Sequence, residues 1–183
     1  MKEYILEVKK LIPEHTCKKI ISYFDNNYED AGTSGAGVNK NIRNCLTRSI
    51  LHNTHSFGEQ LVLNYITSII FGSIDLYKKD KPFLGIKKIN QLDILRYDAN
   101  EFPAGYDFHV DFGTKTAERH LSISICLNNN YEGGEFVFKI KDEDLQFPQN
   151  VGDCLIFPSN FMFPHRVNKI TKGTRYALIA WVQ

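Results

Sequence analysis

Long hydrophobic runs are missing from this chain. Lys and Glu interrupt the N-terminal MKEYILEVKKLIPEHTC too often for a secretion signal, and no later stretch approaches the length of a membrane span. A C-terminal retention tetrapeptide is lacking too, which disfavours a secretory compartment and makes the cytoplasm the expected location. Cysteine is sparse: Cys17, Cys45, Cys126 and Cys154 lie far apart with no Cys-x-x-Cys pair, so reduced thiols are expected rather than a disulfide framework or a thiolate zinc site. Charge of one sign is not in surplus either. A net charge of +1 gives no general pull toward nucleic acid or lipid. There are no repeats and no low-complexity segments.

What is present is a globular composition rich in rings. At 183 residues the chain suits a single domain, 1–183, with one sizeable core. Aromatic residues reach 13%, mostly Phe and Tyr, which points to a β-rich body. The first 80 residues nevertheless read mainly helical. From Pro13 to Phe24, the apolar Cys17, Ile20, Ile21 and Phe24 recur at helical spacing, with Pro13 in the first turn. The stretch HNTHSFGEQLVLNYITSIIFGSI carries a longer helix, with Leu61, Tyr65, Ile66, Ile69 and Ile70 as its apolar positions. Between them DAGTSGAGVNKN (30–41) is a loop expected to be mobile. The lysine-rich segment 76–90, with Lys78, Lys79, Lys81, Lys87 and Lys88, reads as a solvated loop or a basic lid beside an active site.

After about residue 90 the texture changes to short strands with turn punctuation. LSISICL (121–127) alternates strictly, placing Leu121, Ile123, Ile125 and Leu127 on one face. The spacing predicts a sandwich or barrel with the helices packed outside it.

YDFHVDFG (106–113) contains the triplet with the most chemical content. Residues i and i+2 of a strand point to the same side, so His109 and Asp111 would project toward one point, as neighbouring metal ligands must. His15, His52, His55 and His120 have no carboxylate partner in register and read as surface or capping residues. The remaining candidate is His165. Thr171-Lys172-Gly173 looks like a three-residue hairpin loop closed by a left-handed glycine. That register would pair His165 with Ile179 and place Arg175 on the same face. A two-residue loop would turn Arg175 the other way. Two imidazoles and one carboxylate, with open positions, suit a non-haem Fe(II) oxygenase or a catalytic zinc. An arginine on the same surface supplies a planar fork for a carboxylate, and so favours a keto acid bound between metal and guanidinium.

LRYDANEFPAGYDFHVD, RHLSISICLNNNYEGGEFVF, GDCLIFPSNFMFPHRV and KGTRYALIAWV, spanning about 92–182, resemble the prolyl 4-hydroxylase group of Fe(II)/2-oxoglutarate-dependent dioxygenases. The first half is similar to the helical support of such enzymes, including IRNC at 42–45. The resemblance implies an α+β, mainly β fold: a double-stranded β-helix (a jelly-roll or cupin-like barrel), catalytic from about 91 and supported by N-terminal helices to about 90. It implies iron held by His109, Asp111 and His165, with Arg175 on the distal carboxylate of 2-oxoglutarate. It also implies that Tyr97 hydrogen-bonds the co-substrate and that Trp181 lies near the site. One position departs from the pattern. Many relatives carry a tyrosine just before the Leu-Asn pair, whereas this chain has Cys126, a poor donor. Either another hydroxyl assists Arg175, or co-substrate affinity is weakened. Arg119 and Arg166 match no co-substrate position and read as structural or substrate-facing.

The activity this implies is hydroxylation of an unactivated C–H of peptidyl proline, using O2 and releasing succinate and CO2, with ascorbate as a supporting reductant. A free amino acid, another side chain or alkylated nucleic acid are alternative substrates of the same chemistry. The repair oxygenases that act on nucleic acid resemble a pattern with a second arginine six residues after the first, and that position is Trp181 here. A zinc hydrolase would leave Arg175 unexplained, and a barrel that had lost its chemistry should lack one of the ligands. The expected partner is a proline-containing peptide or protein, not nucleic acid and not a membrane. Nothing in the sequence fixes the oligomeric state.

Overall fold

The computed structural model describes residues 1–33, 37–100, 102 and 104–183; part of the loop expected to be mobile, 34–36, lies outside them. Among the described residues a short 3-10 helix (Lys2–Tyr4), two α-helices and thirteen strands form: β1 (Leu6–Val8), α1 (Glu14–Phe24), β2 (Glu29–Asp30), β3 (Arg43–Asn44), β4 (Leu46–Ser49), α2 (Phe57–Lys78), β5 (Ile89–Asp98), β6 (Gly105–His109), β7 (Leu121–Cys126), β8 (Tyr131–Gly133), β9 (Phe136–Ile140), β10 (Glu143–Phe147), β11 (Cys154–Pro158), β12 (His165–Val167) and β13 (Ile170–Val182). The strands make two antiparallel sheets. The larger runs β1-β11-β7-β13-β5-β4-β2, with β8 added to one end of β13; the smaller runs β10-β9-β12-β6-β3. This is the double-stranded β-helix, with helices as outer support.

Each face of the larger sheet has its own core. The alternation of β7 sends Leu121, Ile123, Ile125 and the following Leu127 into a cluster with Ile94, Ile156 and Leu178 from neighbouring strands. Cys17, Ile20 and Phe24 of α1 and Leu63, Ile66, Ile70 and Ile74 of α2 complete it, so the helices cover that face. The other face meets the smaller sheet around Tyr97, Phe136, Phe138, Phe157 and Ile170. Burying an aliphatic side chain of this kind stabilises by about 1.5–3 kcal/mol, which makes the helix-covered face the main anchor of the scaffold.

The start of α2 is tied down chemically. Ser56 accepts from the Glu59 amide at 3.1 Å while the Glu59 carboxylate accepts from the Ser56 amide at 3.2 Å, a reciprocal capping box. Glu59 also takes Arg48 of β4 at 2.8 Å, and both side chains are buried. Burial works against the charge on Glu59, but the His55 and Ser56 amides and the Arg48 guanidinium outweigh it and hold the carboxyl below its usual value. No helix among the described residues is long and apolar enough to cross a membrane.

Three sequence expectations need correction. The first 80 residues also contain β1, β3 and β4, which pair with strands of the second half, and β2, which pairs with β4. These strands are two to four residues long, too short for alternation to show. Second, Leu61 and Tyr65 are exposed at 53% and 43%; the buried stripe of α2 passes through Leu63, Ile66, Ile70 and Tyr77 instead. The helix is apolar nearly all round, so its sequence supports more than one stripe. Third, 171–173 is not a hairpin loop. Ile170–Val182 is one continuous strand paired with β5 and β7, and His165 lies on β12 in the other sheet. Gly173 does have positive φ, at 75°, but the reason is close approach: a side chain there would strike the Asn130 carbonyl on the way into β8. The chain turns between β12 and β13, crossing from one sheet to the other.

Candidate metal centre

The site grows out of the pairing of β6 with β12. His109 closes β6, and His165 opens β12 directly opposite it. Their rings therefore emerge side by side, with centroids 4.3 Å apart. Asp111 follows just past the strand end, its Oδ1 3.6 Å from His109 Nε2 and its Oδ2 3.6 Å from His165 Nε2. The three donor atoms all lie within 4.8 Å of one another, and this is the cluster with metal-binding spacing that forms among the described residues.

Backbone carbonyls set the tautomers. His109 Nδ1 lies 2.8 Å from the Asp107 carbonyl and His165 Nδ1 lies 3.0 Å from the Phe163 carbonyl. A carbonyl can only accept, so each Nδ1 carries the ring proton and each Nε2 turns a lone pair inward. Aromatic rings fix the planes: Tyr106 stacks on His109 at 3.4 Å, and Phe136 on His165 at 5.1 Å. Asp111 is fixed by Ser122, whose hydroxyl donates to Oδ2 at 2.5 Å and meets Ser159 Oγ at 2.8 Å.

Electrostatics agree with metal binding. Burial, followed by the nearby His165, depresses His109 to about 3, so its imidazole is neutral at ordinary pH. Burial alone would raise Asp111, but His165, His109, Ser122 and Trp181 together hold it below the usual carboxylate value. The Trp181 N–H closes no hydrogen bond of ordinary geometry among the described residues, yet it is one of the groups that favour the Asp111 charge. Two neutral nitrogens and one carboxylate, buried and converging, suit Fe(II) or Zn(II).

Arg175 separates these possibilities. It is 1% exposed, and its Cζ lies 5.4 Å from the ring centre of Tyr97, its cross-strand partner on β5. Burial opposes its charge, while Tyr131, Cys126 and Tyr97 favour it and win. Yet the guanidinium has no acidic partner among the described residues. Its Nε bonds to nothing, and its reach to Gln149 Oε1 is long, at 3.5 Å. A buried cation in this condition is unfavourable unless an anionic ligand completes it, which is the feature a dicarboxylic keto acid requires.

The remaining sequence candidates fall into place around this centre. Tyr97 is fully buried with its hydroxyl turned toward Cys45. Arg119 is held in place while lining the cavities beside the centre: it donates to the Asp111 carbonyl at 3.2 Å and to Gln91 at 2.7 Å, and lies 3.9 Å over Trp181. Arg166 pairs with Asp144 at 3.1 Å and takes no part in the cluster. A cavity of about 270 Å³ opens beside Asp111 between Tyr106, Arg43, Arg119 and Trp181. Of the lysines at 78–88, Lys81 lines an adjoining cavity of about 490 Å³ with Phe112 and Arg119. Ser122 was missed by sequence reasoning, although the alternation of LSISIC places it on the face opposite the core. Tyr106 was missed as well, and no spacing signal marks it.

Residues 92–183 match the family model of the 2OG-Fe(II) oxygenase superfamily. A PKHD-type hydroxylase of Idiomarina loihiensis is 26% identical over 98% of this chain and 77% of its own length. The chain spans less than half the length of other PKHD-type hydroxylases that it matches. Among solved structures, a prolyl hydroxylase from Trichoplax adhaerens in complex with a hypoxia inducible factor peptide aligns with a TM-score of 0.82, at 16% identity over 98% of this chain and 83% of that one. A Pseudomonas putida prolyl-4-hydroxylase aligns with a TM-score of 0.76, at 16% identity over 98% and 92%.

Proposed function

This chain belongs to the 2OG-Fe(II) oxygenase superfamily, and on that premise we propose that it hydroxylates peptidyl proline. Its co-substrates are 2-oxoglutarate and O2, and its products include succinate and CO2. The observation that carries the co-substrate part is the pairing of an inward-facing His109–Asp111–His165 cluster with a buried Arg175 that has no acid among the described residues. The proline part rests on the kinship with PKHD-type hydroxylases and on likeness in fold to prolyl hydroxylases, one of them holding a peptide.

In this reading His109, Asp111 and His165 hold Fe(II), which together with the keto acid and O2 supplies the oxidising power for the C–H bond. The chain's own groups position and protect. The Asp107 and Phe163 carbonyls keep both Nε2 lone pairs inward, and Ser122 keeps the carboxylate turned to the same point. Arg175 clamps the distal carboxylate of 2-oxoglutarate, with Tyr97 beside it as a further co-substrate contact. The rings of Tyr106, Phe136 and Phe157 exclude water from the histidine side. An intact Asp111 favours hydroxylation over halogenation, for which that ligand is absent. Residues 1–183 act as one catalytic unit in the cytoplasm, with ascorbate sustaining turnover. Lys81, and Gly32 and Thr33 of the loop at 30–41, line the cavities beside the site where substrate arrives.

The test is turnover. With Fe(II) and ascorbate, a proline-rich peptide should release succinate from 2-oxoglutarate and gain the mass of one oxygen. Oxygen gain on small metabolites with none on peptide arrays would remove the prolyl assignment.

A further inference from the structure

Arg175 needs a companion donor if both oxygens of a carboxylate are to be held, and the strand where the resemblance places one offers only Cys126. The cysteine is unsuited twice over. A thiol is a weak donor, and this one already points at the Asn128 carbonyl, 3.1 Å away. The Ser124 hydroxyl, two positions earlier on that strand, has no partner among the described residues, but Ser124 pairs with Ile179, four positions along β13 from Arg175. Other polar groups nearby are committed. Thr174 donates to Asp98 at 2.8 Å, and the Tyr97 hydroxyl, turned toward Cys45, is left to a co-substrate contact other than the distal carboxylate. Gln149 places both hydrogen bonds of its amide nitrogen on carbonyls, of Ser124 and Asp153, and so presents its oxygen, the wrong end for an anion, to Arg175.

Tyr131 is different. It opens β8, which is laid against β13 with Tyr131 opposite Gly173. Its hydroxyl reaches across to within 3.5 Å of Cys126 Sγ, where a side chain longer than cysteine would collide with it. Gly134 makes the approach possible. A methyl group at that position would sit 2.9 Å from Arg175 Cδ and 3.3 Å from the Tyr131 ring, so phenol and guanidinium share the space that a missing side chain leaves open. Gly134 has φ of 70°, so the same backbone conformation that removes the side chain also favours glycine. Burial pushes the phenol up to about 12, with Arg175 pulling the other way, and the hydroxyl therefore keeps its proton.

We propose that Tyr131 is the second donor to the distal carboxylate of 2-oxoglutarate, supplied from β8 in place of the hydroxyl that β7 lacks at Cys126. The inference rests on the reading of Arg175 as the co-substrate clamp. It makes Tyr131, Cys126 and Gly134 a matched set: small residues at 126 and 134 clear the path for a phenol from 131.

Calorimetric titration of 2-oxoglutarate into Mn(II)-loaded protein tests it without turnover, with 2-oxobutyrate, which lacks the distal carboxylate, as the second ligand. Tyr131→Phe removes one oxygen and should keep the melting temperature of the parent. Its Kd for 2-oxoglutarate should rise about 10- to 100-fold, the range expected for one hydrogen bond to a charged group, while 2-oxobutyrate binding stays unchanged. Tyr131→Gln, a shorter donor, should recover part of the loss. Equal loss for both acids would mean a structural role and overturn the proposal. So would 2-oxoglutarate affinity within twofold of the parent. A parent protein that binds no 2-oxoglutarate would remove the reading of Arg175 as well.

Discussion

His109 and His165 sit directly opposite each other on antiparallel strands, and the Nδ1 of each is held by the carbonyl two residues before it. One register thus brings two proposed ligands together, and one repeated local contact orients both. The third ligand, Asp111, has no such backbone device and depends on a side chain, Ser122.

That dependence gives the first prediction. Ser122→Ala leaves all three ligands in place but frees Asp111 Oδ2, so metal affinity should fall by about 10- to 100-fold, as losing an outer partner of a ligand typically costs. Titration of Mn(II) followed by electron paramagnetic resonance measures it. Unchanged affinity would show that Asp111 needs no help.

The second concerns the scaffold away from the site. Ile70 is fully buried on α2, on the face of the larger sheet that looks away from the metal cluster. Ile70→Ala should cost about 2–5 kcal/mol in chemical denaturation, while Mn(II) affinity of the folded fraction stays at the parent value. A matching loss of metal affinity would mean that the two cores are coupled through the sheet.

The third is a pH dependence. Glu59 is held below its ordinary carboxylate value by the His55 and Ser56 amides and by Arg48, against the effect of burial. A depressed carboxyl favours the folded state fully above its unfolded value, and that contribution fades as the pH falls through the folded one. Glu59→Ala should therefore cost about 3–5 kcal/mol near neutrality, where it strands a buried guanidinium. The gap in melting temperature between parent and variant should narrow when both are measured below about pH 4. A gap independent of pH would locate the effect in packing.

Much of the centre was legible because its signals are local. A period of two is enough to aim His109 and Asp111 together, and alternation in LSISICL separates core from site face. His165 was reached through a register that the fold does not use. Gly173 carried the left-handed signal of a hairpin, but the close passage of Asn130, a contact distant in sequence, is what requires it. The actual partners of His165, His109 and Phe138, lie on strands 56 and 27 positions away by number, and no local pattern encodes them. Strands β1 to β4 escaped notice for the related reason that pieces so short are strands only because longer neighbours pair with them. Leu61 and Tyr65 were misplaced because α2 has too much apolar surface to reveal which stripe is covered.

The central claim is that three converging side chains hold Fe(II) while Arg175 fixes a keto acid against it. Anaerobic addition of Fe(II) and 2-oxoglutarate, followed by visible absorption, tests both halves in one cuvette. A metal-to-keto-acid charge-transfer band is expected in the parent. The band should be absent in His165→Ala, and in Arg175→Gln it should need much higher 2-oxoglutarate. A folded parent protein that shows no band at saturating iron and keto acid would contradict that claim.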